Sequence, residues 1–328
     1  MSAQINWGLL STARINGAVI NGALESQDAG VVAVASRDGA RAREYAERFG
    51  IPRAHGSYDA LLADPEVDAV YVSLPNGLHV EWTIRALEAG KHVLCEKPMD
   101  RRPERVAQAF DVAEREGLVL SEAFMWRHHP QTTRLRELLG DGAIGDVRLV
   151  RASFSFPLAL DAPNVRLDAA LDGGGLLDVG SYCISGARLA AGGEPVSAIG
   201  CAVTGARGVD TRFTGLLRFD GDVLATFDCG IDLHARHDLE ISGSRGRVLL
   251  ADPWHCRTPR IVLERDGQAA DTIEVEAADS YRLELEDVAA AIRGERAPLL
   301  GRADALGQAR TIAALEQSAA EGRAVALR

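Results

Sequence analysis

The sequence has little cysteine and no long apolar run. Its five cysteines are scattered through 328 residues, and none forms a Cys-x-x-Cys pair. An odd, dispersed set is typical of reduced thiols in the cytosol rather than of a disulfide framework. No stretch approaches the roughly 18 consecutive apolar residues of a membrane span, and the apolar start after Gln4 is too short for a secretory signal. We therefore expect a cytoplasmic protein with no membrane partner.

An excess of positive charge is also missing. Lysine and arginine number 36 against 47 acidic residues, which gives a formal net charge of −11. Nucleic-acid binding requires clustered cations, so we expect no nucleic-acid partner. The hydrophobic share of 47% and the charged share of 25% are ordinary for a globular protein. The length favours about two domains.

The first part of the chain alternates short apolar runs with helical patterns. Apolar runs at 5–10, 31–35, 67–74, 92–95 and 119–123 are separated by segments with helical periodicity, including 81–89 and 103–116. Strands that alternate with helices indicate a doubly wound parallel sheet, and continuous apolar strands fit a sheet covered on both faces. We predict an α/β dinucleotide-binding domain of the Rossmann type over residues 1–123.

The pattern changes after about residue 145. Val150, Ala152, Phe154 and Phe156 share one face of an alternating run, and Asp-Gly turns at 220–222 and 266–267 separate pairs of strand-like segments. Period-two alternation and Asp-Gly turns are typical of antiparallel hairpins with one polar face. We predict an α+β domain over 124–328 with a large, mainly antiparallel, open-faced sheet, and its last helix is free to pack back on the first domain.

The turn after the first strand is the first candidate for cofactor binding. It consists of small residues at the start of a helix, where main-chain N–H groups and the helix dipole favour a pyrophosphate. The usual fingerprint has glycine where this chain has Ser11, Ala13 and Asn16, so the turn alone fits a structural βα unit equally well.

The end of the second strand carries the evidence on the type of cofactor. An acidic residue at this place binds the ribose diol of NAD, whereas arginine meets the 2′-phosphate of NADP. Ser36-Arg37 favours NADP, and Asp38, the next residue, leaves NAD possible. Arg37 is also suited to stacking on the adenine with either cofactor.

Three further motifs lie around the third and fourth of these apolar runs, and the carboxyl ends of such strands are where open α/β sheets bind ligands. They read Asp64-Pro65-Glu66-Val67-Asp68-Ala69-Val70, then Pro75-Asn76 with His79, and Ala89-Gly90-Lys91-His92-Val93-Leu94-Cys95-Glu96-Lys97-Pro98. With these motifs the chain resembles the glucose–fructose oxidoreductase and inositol dehydrogenase family. The predicted cofactor-binding residues are Ser11, Thr12, Ala13, Arg14, Ile15, Ser36, Arg37, Leu74, Pro75, Asn76, His79, Glu96 and Lys97.

A glycine-rich segment contains the other residues that the resemblance implies. Gly173-Gly174-Gly175 opens a helix on which Asp178 and Tyr182, at i and i+4, are predicted to share one face. In the resembled family this helix supplies an acid and then a His or Tyr to the active site. Tyr182 resembles the sugar and dihydrodiol dehydrogenase branch, not the inositol branch. The alternative is that Tyr182 is a buried core residue with no catalytic role.

The same branch is suggested by segments around two arginines. The stretches 122–130 and 164–168 resemble D-xylose dehydrogenases and dihydrodiol dehydrogenases. Arg127, Asn164, Arg166 and Tyr182 are the predicted substrate-binding residues, and both arginines are equally suited to structural ion pairs. We expect no metal site at His128-His129, whose adjacent side chains would face opposite ways in a strand, or at Asp232, His234, His237 and Asp238, which fit a sheet surface or a loop.

The resemblance implies hydride transfer between a sugar or polyol carbon and nicotinamide. The predicted catalytic residues are Lys97, Tyr182 and Asp178. Tyr182 is expected to take the hydroxyl proton with help from the charge of Lys97, or Lys97 to take it, while Asp178 orients the substrate or Lys97. We expect an NADP-dependent, D-xylose-like aldose 1-dehydrogenase that forms a homodimer through its C-terminal sheet. A dihydrodiol dehydrogenase, a keto-sugar reductase and a non-catalytic NADP-binding regulator stay open.

Overall fold

The computed structural model describes residues 4–327, which divide into two compact units. The first unit runs to His128 and also contains Asp279–Leu306. The second contains His129–Ala278 and the chain from Gly307 onward. The return of segment 279–306 to the first unit is a detail that the sequence prediction did not contain. The assignment of 1–123 and 124–328 to cofactor and substrate domains stays a proposal.

The first unit is built on a six-stranded parallel sheet in the order β3-β2-β1-β4-β5-β6. The strands are β1 Ile5–Leu9, β2 Ala29–Ala35, β3 Arg53–His55, β4 Ala69–Val72, β5 His92–Glu96 and β6 Leu120–Ala123. The helices are α1 Asn16–Glu25, α2 Gly39–Phe49, α3 Tyr58–Leu62, α4 His79–Glu88, α5 Pro103–Glu116 and, later in the chain, α8 Ser280–Ile292. The predicted doubly wound sheet is confirmed.

Local signals explain where these helices begin and end. Helix α2 starts after Asp38, whose carboxylate accepts hydrogen bonds from the N–H groups of the first turn, and it ends at Gly50 with φ of 67°. Helix α5 has Pro103 in its first turn and ends at Gly117 with φ of 66°. Proline needs no N–H at this position, and glycine adopts the left-handed conformation at little cost.

The core of the first unit lies between the central strands and helices α1 and α8. Trp7, Leu9 and Tyr71 are fully buried with Val288. The two helices approach closely at Gly22, where a Cβ atom would lie 2.6 Å from the main-chain nitrogen of Arg282. A glycine at this point therefore lets α8 pack on α1.

The second unit is built on a nine-stranded sheet in the order β14-β13-β12-β11-β7-β10-β9-β8-β15. Its strands are β7 Val147–Pro157, β8 Pro195–Thr204, β9 Asp210–Phe219, β10 Leu224–Gly230, β11 Asp232–Gly243, β12 Gly246–Leu250, β13 Arg260–Arg265, β14 Asp271–Glu274 and β15 Val325–Ala326. Helices α6 Pro130–Gly140 and α7 Ser181–Ala191 belong to this unit, and α9 Arg302–Glu321 begins in the first unit and ends in the second. Among the described strands of this second sheet, only the pairing of β10 with β7 is parallel.

The two predicted hairpins are present. Gly221, with φ of 70°, lies in the turn between β9 and β10, and Gly267, also with φ of 70°, lies in the turn between β13 and β14. Burial alternates along β9, so one face of this strand is covered and the other is open. The prediction of a mainly antiparallel, open-faced sheet is confirmed.

The open face carries rows of charged side chains. Arg247 binds Glu264 at 2.8 Å and lies 3.7 Å from Glu240, and Arg151 lies 4.0 Å from Glu240. These charges alternate in sign across four neighbouring strands.

Within residues 4–327, no helix has the length and apolar character needed to cross a membrane.

Candidate active site

The loop between β1 and α1 is fixed by the side chains that replace the usual glycines. The Ser11 hydroxyl donates to the carbonyl oxygen of Ser73 at 3.0 Å and accepts from the N–H of Ala13 at 3.0 Å. The Nδ2 of Asn16, which is fully buried, donates to the carbonyl oxygen of Ser11 at 2.8 Å. The ends of β1 and β4 are therefore joined, and the loop closes without glycine.

The same loop has the donors that a pyrophosphate requires. The main-chain N–H groups of Thr12, Arg14 and Ile15 have no hydrogen-bond partner among residues 4–327. They lie immediately before helix α1, where the dipole also favours an anion. The residues present therefore fit a dinucleotide, even though Ser11, Ala13 and Asn16 depart from the fingerprint.

The residues at the end of β2 differ in their hydrogen-bond and ion-pair partners. Asp38 Oδ1 accepts from the N–H groups of Ala40 at 2.8 Å and Arg41 at 3.3 Å, so this carboxylate caps helix α2. The Ser36 hydroxyl accepts from the N–H of Asp38 at 3.2 Å. Arg37 is exposed and has no ion-pair partner within the described part of the chain. A cation, rather than a carboxylate, is thus available here.

His79 joins the loops that follow β4 and β5. Its Nε2 lies 2.7 Å from the carbonyl oxygen of Leu74 and its Nδ1 lies 2.9 Å from that of Pro98. Burial lowers the pKa of His79, and the hydrogen bonds to the two carbonyl oxygens oppose this effect. The Pro75-Asn76 loop and the Lys97-Pro98 bond, which is cis, are therefore connected through one buried ring.

Glu96 fixes the main chain at Lys97. The Tyr71 hydroxyl donates a short hydrogen bond to Glu96 Oε1, and Glu96 Oε2 accepts from the N–H of Lys97 at 3.1 Å. Burial, together with the negative charge of Glu96, holds the pKa of Tyr71 well above its usual range. Lys97 is half-buried at the carboxyl end of β5, on a turn held by both Glu96 and His79.

A group of buried titratable residues in the same unit was missed by the sequence analysis. Glu284 is 1% exposed, and burial, with the charges of Glu96 and Asp287, raises its pKa well above the usual range. Its Oε1 lies 4.0 Å from Nε2 of His128, whose pKa burial lowers to about 3. The signal was an acidic residue on the apolar face of helix α8, beside Leu285 and Val288.

In the second unit Asp178 lies in a π-helical turn, Leu176–Gly180, which leads into α7. Asp178 and Tyr182 were expected on one α-helix; the structure places Asp178 in this π-helical turn and Tyr182 in the first turn of α7. Gly180 permits the turn to pack on β10, since a Cβ there would lie 2.8 Å from Cys229 Sγ.

Tyr182 lies in an aromatic cluster. It is 8% exposed, and its ring centroid lies 5.3 Å from that of Phe154 and 6.1 Å from that of Trp254. The indole N–H of Trp254 donates to the carbonyl oxygen of Ser153 at 2.9 Å, which fixes the wall of the cluster. A tyrosine ring held in this way has little rotamer freedom.

The predicted substrate-binding residues are engaged with protein groups. Asn164 Oδ1 accepts from the N–H of Arg166 at 3.0 Å, and Arg166 Nε donates to Asp178 Oδ2 at 2.6 Å. In the first unit Arg127 pairs with Asp304 at 3.4 Å. The structure thus brings Asn164, Arg166 and Asp178 together within the second unit, whereas Arg127 belongs to the first.

The residues considered for metal binding are dispersed. No group of three or more metal-ligating side chains occurs within residues 4–327. Along β11, Asp232 pairs with Arg212 at 3.3 Å, and Asp238 accepts from the Ser153 hydroxyl at 3.1 Å. His237 packs edge-on against Phe154.

Comparison with known proteins agrees with this arrangement. Residues 5–124 match the oxidoreductase family with an NAD-binding Rossmann fold, and residues 132–249 match the GFO/IDH/MocA C-terminal domain. D-xylose 1-dehydrogenase (NADP(+)) 2 of Haloferax volcanii is 39% identical over 98% of this chain and 99% of its own. Trans-1,2-dihydrobenzene-1,2-diol dehydrogenase of Macaca fuscata fuscata is 37% identical over 79% and 78%.

A solved structure extends the similarity to the whole fold. A 3-ketoreductase from Actinomadura kijaniata, in complex with NADP and TDP-benzene, superposes with a TM-score of 0.90 at 33% identity, over 96% of this chain and 98% of that one. The Rossmann sheet and the amide donors before helix α1 suit a dinucleotide cofactor. The chain belongs to the GFO/IDH/MocA family of NAD(P)-dependent oxidoreductases.

Proposed function

We propose that the protein is an NADP-dependent aldose 1-dehydrogenase that oxidises a D-xylose-like sugar to its lactone. The observation that carries the proposal is the anchored turn at Lys97. Glu96 and His79 fix this turn at the carboxyl end of β5, in the unit that also presents the free amide groups of Thr12, Arg14 and Ile15. The choice of an aldose follows from the D-xylose 1-dehydrogenase relative.

The residues of this chain divide the proton chemistry. NADP, held by the loop before helix α1, would supply the hydride acceptor. Tyr182 takes the proton of the sugar hydroxyl, and Lys97 supplies the positive charge that stabilises a phenolate, because a tyrosine of ordinary pKa of about 10 is a weak base. Asp178 orients the substrate. Proton transfer by positioned groups contributes roughly 10²–10⁴-fold.

Absorbance at 340 nm tests the function directly. Initial rates with NADP and with NAD are measured across D-xylose, other aldoses, inositols, a trans-dihydrodiol and, in the reducing direction, a keto-sugar. A rate with aldoses supports the proposal. A rate with only the diol or the keto-sugar would favour the dihydrodiol dehydrogenase or ketoreductase activity that related proteins are named for. NADP binding without turnover on any compound would favour a regulator.

Variants test the roles of the catalytic residues. Lys97→Met and Tyr182→Phe are expected to lower kcat by about 10²-fold or more, and Arg310→Met, an exposed residue on α9, is the control. Near wild-type turnover of Lys97→Met with a saturating substrate would exclude its role.

Lysine chemistry can separate the two proton assignments. Lysine occurs only at positions 91 and 97. Lys91 Nζ donates to the carbonyl oxygens of Asp64 at 2.8 Å and Val67 at 2.7 Å, so its environment differs from that of Lys97. After ¹³C reductive methylation, the Lys97 signal is followed against pH. If Tyr182 is the base, the Lys97 signal remains that of a charged amine over the pH range in which kcat rises. If the Lys97 signal titrates over that same pH range, the proton is assigned to Lys97.

We propose NADP as the preferred cofactor, with NAD as a weaker one. Arg37 supplies a cation that no described acidic group neutralises, while Asp38 is occupied as the cap of α2. Arg37→Ala is expected to lower the NADP-to-NAD ratio of kcat/KM about tenfold or more, the loss of one charge-assisted contact. Arg310→Ala is the control, and an unchanged ratio in Arg37→Ala would contradict the assignment.

We also propose a cytoplasmic homodimer formed through the second-unit sheet. Alternating charges of Arg151, Glu240, Arg247 and Glu264 form a surface on which a two-fold related copy meets opposite charge. All five cysteines are free thiols, which suits a reducing compartment. Light scattering at micromolar concentration is expected to give twice the 35.0 kDa chain mass, and a monomer would refute the dimer. Cell fractionation tests the location.

A further inference from the structure

The loop that carries Arg166 is joined through its main chain to the glycine turn before Asp178. The N–H of Gly173 donates to the carbonyl oxygen of Asp168 at 3.0 Å, and the N–H of Gly174 donates to that of Arg166 at 2.9 Å. A Cβ atom at position 173 would lie 2.5 Å from the carbonyl oxygen of Arg166. Glycine is therefore required for this close approach, and the main chains of the loop and the turn are bonded to each other.

The side chain of Arg166 makes a second connection, to Asp178 itself. Arg166 Nε lies 2.6 Å from Asp178 Oδ2, and the two side chains are 39% and 14% exposed. From strand β9, Asp210 Oδ2 accepts from the N–H of Leu176 at 2.7 Å, at the start of the π-helical turn that contains Asp178. Asp178 is thus held through its carboxylate on one side and through its main chain on the other.

We propose that Arg166 is a positioning residue that acts through Asp178 instead of binding the sugar. A charge-assisted hydrogen bond fixes the rotamer of a carboxylate that otherwise has two free torsions. The main-chain bonds of the same loop fix the turn from which that carboxylate projects. This inference rests on the proposed function, because it assigns the role of Arg166 in that reaction.

The kinetic test separates positioning from substrate binding. A positioning role predicts that Arg166→Ala lowers kcat by about 10²-fold with little change in KM, and that Arg166→Ala/Asp178→Asn is no worse than Asp178→Asn alone. Free guanidinium ion is expected to restore part of the lost kcat in Arg166→Ala. The control is Arg134→Ala, whose arginine pairs with Glu137 at 2.9 Å on helix α6 and whose kcat is expected not to respond. A raised KM with unchanged kcat, or additive losses in the double variant, would overturn the proposal.

A second measurement does not depend on turnover. Urea unfolding of the wild type, Arg166→Ala, Asp178→Asn and the double variant forms a double-mutant cycle. A coupling between the two positions supports the link from Arg166 to Asp178, and no coupling would overturn it. Arg166→Lys, which keeps the charge but loses the fork, is used where Arg166→Ala does not fold. Absence of turnover by the wild type on every sugar would reject the proposed function. The double-mutant cycle would still show whether Arg166 and Asp178 are coupled.

Discussion

Replacing Glu284 with glutamine is expected to stabilise the protein, and the gain is expected to grow with pH. The carboxyl group is 1% exposed, its Oε1 has no hydrogen-bond partner among residues 4–327, and Glu96 and Asp287 add negative charge nearby. These conditions raise its pKa well above the ordinary value of 4.5, so the folded protein keeps this proton to a higher pH than the unfolded chain does. Glutamine has nearly the same shape as protonated glutamate, and its amide does not ionise in this pH range.

The size of the effect follows from linkage. The folded state binds more protons at Glu284 than the unfolded state does, so the stability of the wild type falls as pH rises from the ordinary pKa towards the raised one. Each pH unit in this window costs about 1.4 kcal/mol. Between pH 5.5 and 7.5 the advantage of Glu284→Gln should therefore increase, by at most about 1.4 kcal/mol for each pH unit. The depressed pKa of His128 affects both proteins alike and cancels in the difference.

Urea unfolding at pH 5.5, 6.5 and 7.5 measures this difference. The matched control is Glu47→Gln, an exposed residue on helix α2, for which we expect no dependence of the difference on pH. If the curves of wild type and Glu284→Gln stay parallel across the three pH values, Glu284 is ionised in the folded protein, and the reasoning from burial is wrong.

Three further outcomes are expected. Asp210→Ala removes the acceptor for the N–H of Leu176 and should lower the free energy of unfolding by about 1–2 kcal/mol in urea titrations; no loss would remove Asp210 as an anchor. His79→Ala leaves two main-chain carbonyl oxygens without their ring partner, so NADP affinity measured by calorimetry should fall, and an unchanged affinity would contradict this. Iodoacetamide should label Cys201 alone in the folded protein, since the other four cysteines are buried; mass spectrometry showing two rapid adducts would contradict this.

Features set by neighbouring residues could be predicted from the sequence. The helix expected over 103–116 has those bounds in the structure, because Pro103 and Gly117 mark its ends. The Asp-Gly hairpins are also where they were expected. In each case a proline, a glycine or an alternating pattern within a few positions determines the backbone.

Contacts between distant segments could not be predicted in this way. Glu284 lies 188 positions beyond Glu96, and the effect of Glu96 on the pKa of Glu284 depends on the return of segment 279–306 to the first unit. No local pattern records that return. Likewise, Asp178 and Arg166 were both predicted as site residues, but their pairing with each other was not, because it depends on a loop with no regular periodicity.

The anchors of the site have one property in common that bears on its chemistry. Carboxylates hold the turns that carry the predicted catalytic residues: Glu96 accepts from the N–H of Lys97, and Asp210 accepts from the N–H of Leu176, shortly before Asp178. A carboxylate that accepts a hydrogen bond from a main-chain N–H restricts the backbone directly, so loss of that carboxylate displaces the whole turn. Since a displacement of about 1 Å can cost roughly 10²-fold in rate, substitutions at these anchors should impair turnover far more than their modest share of folding energy implies.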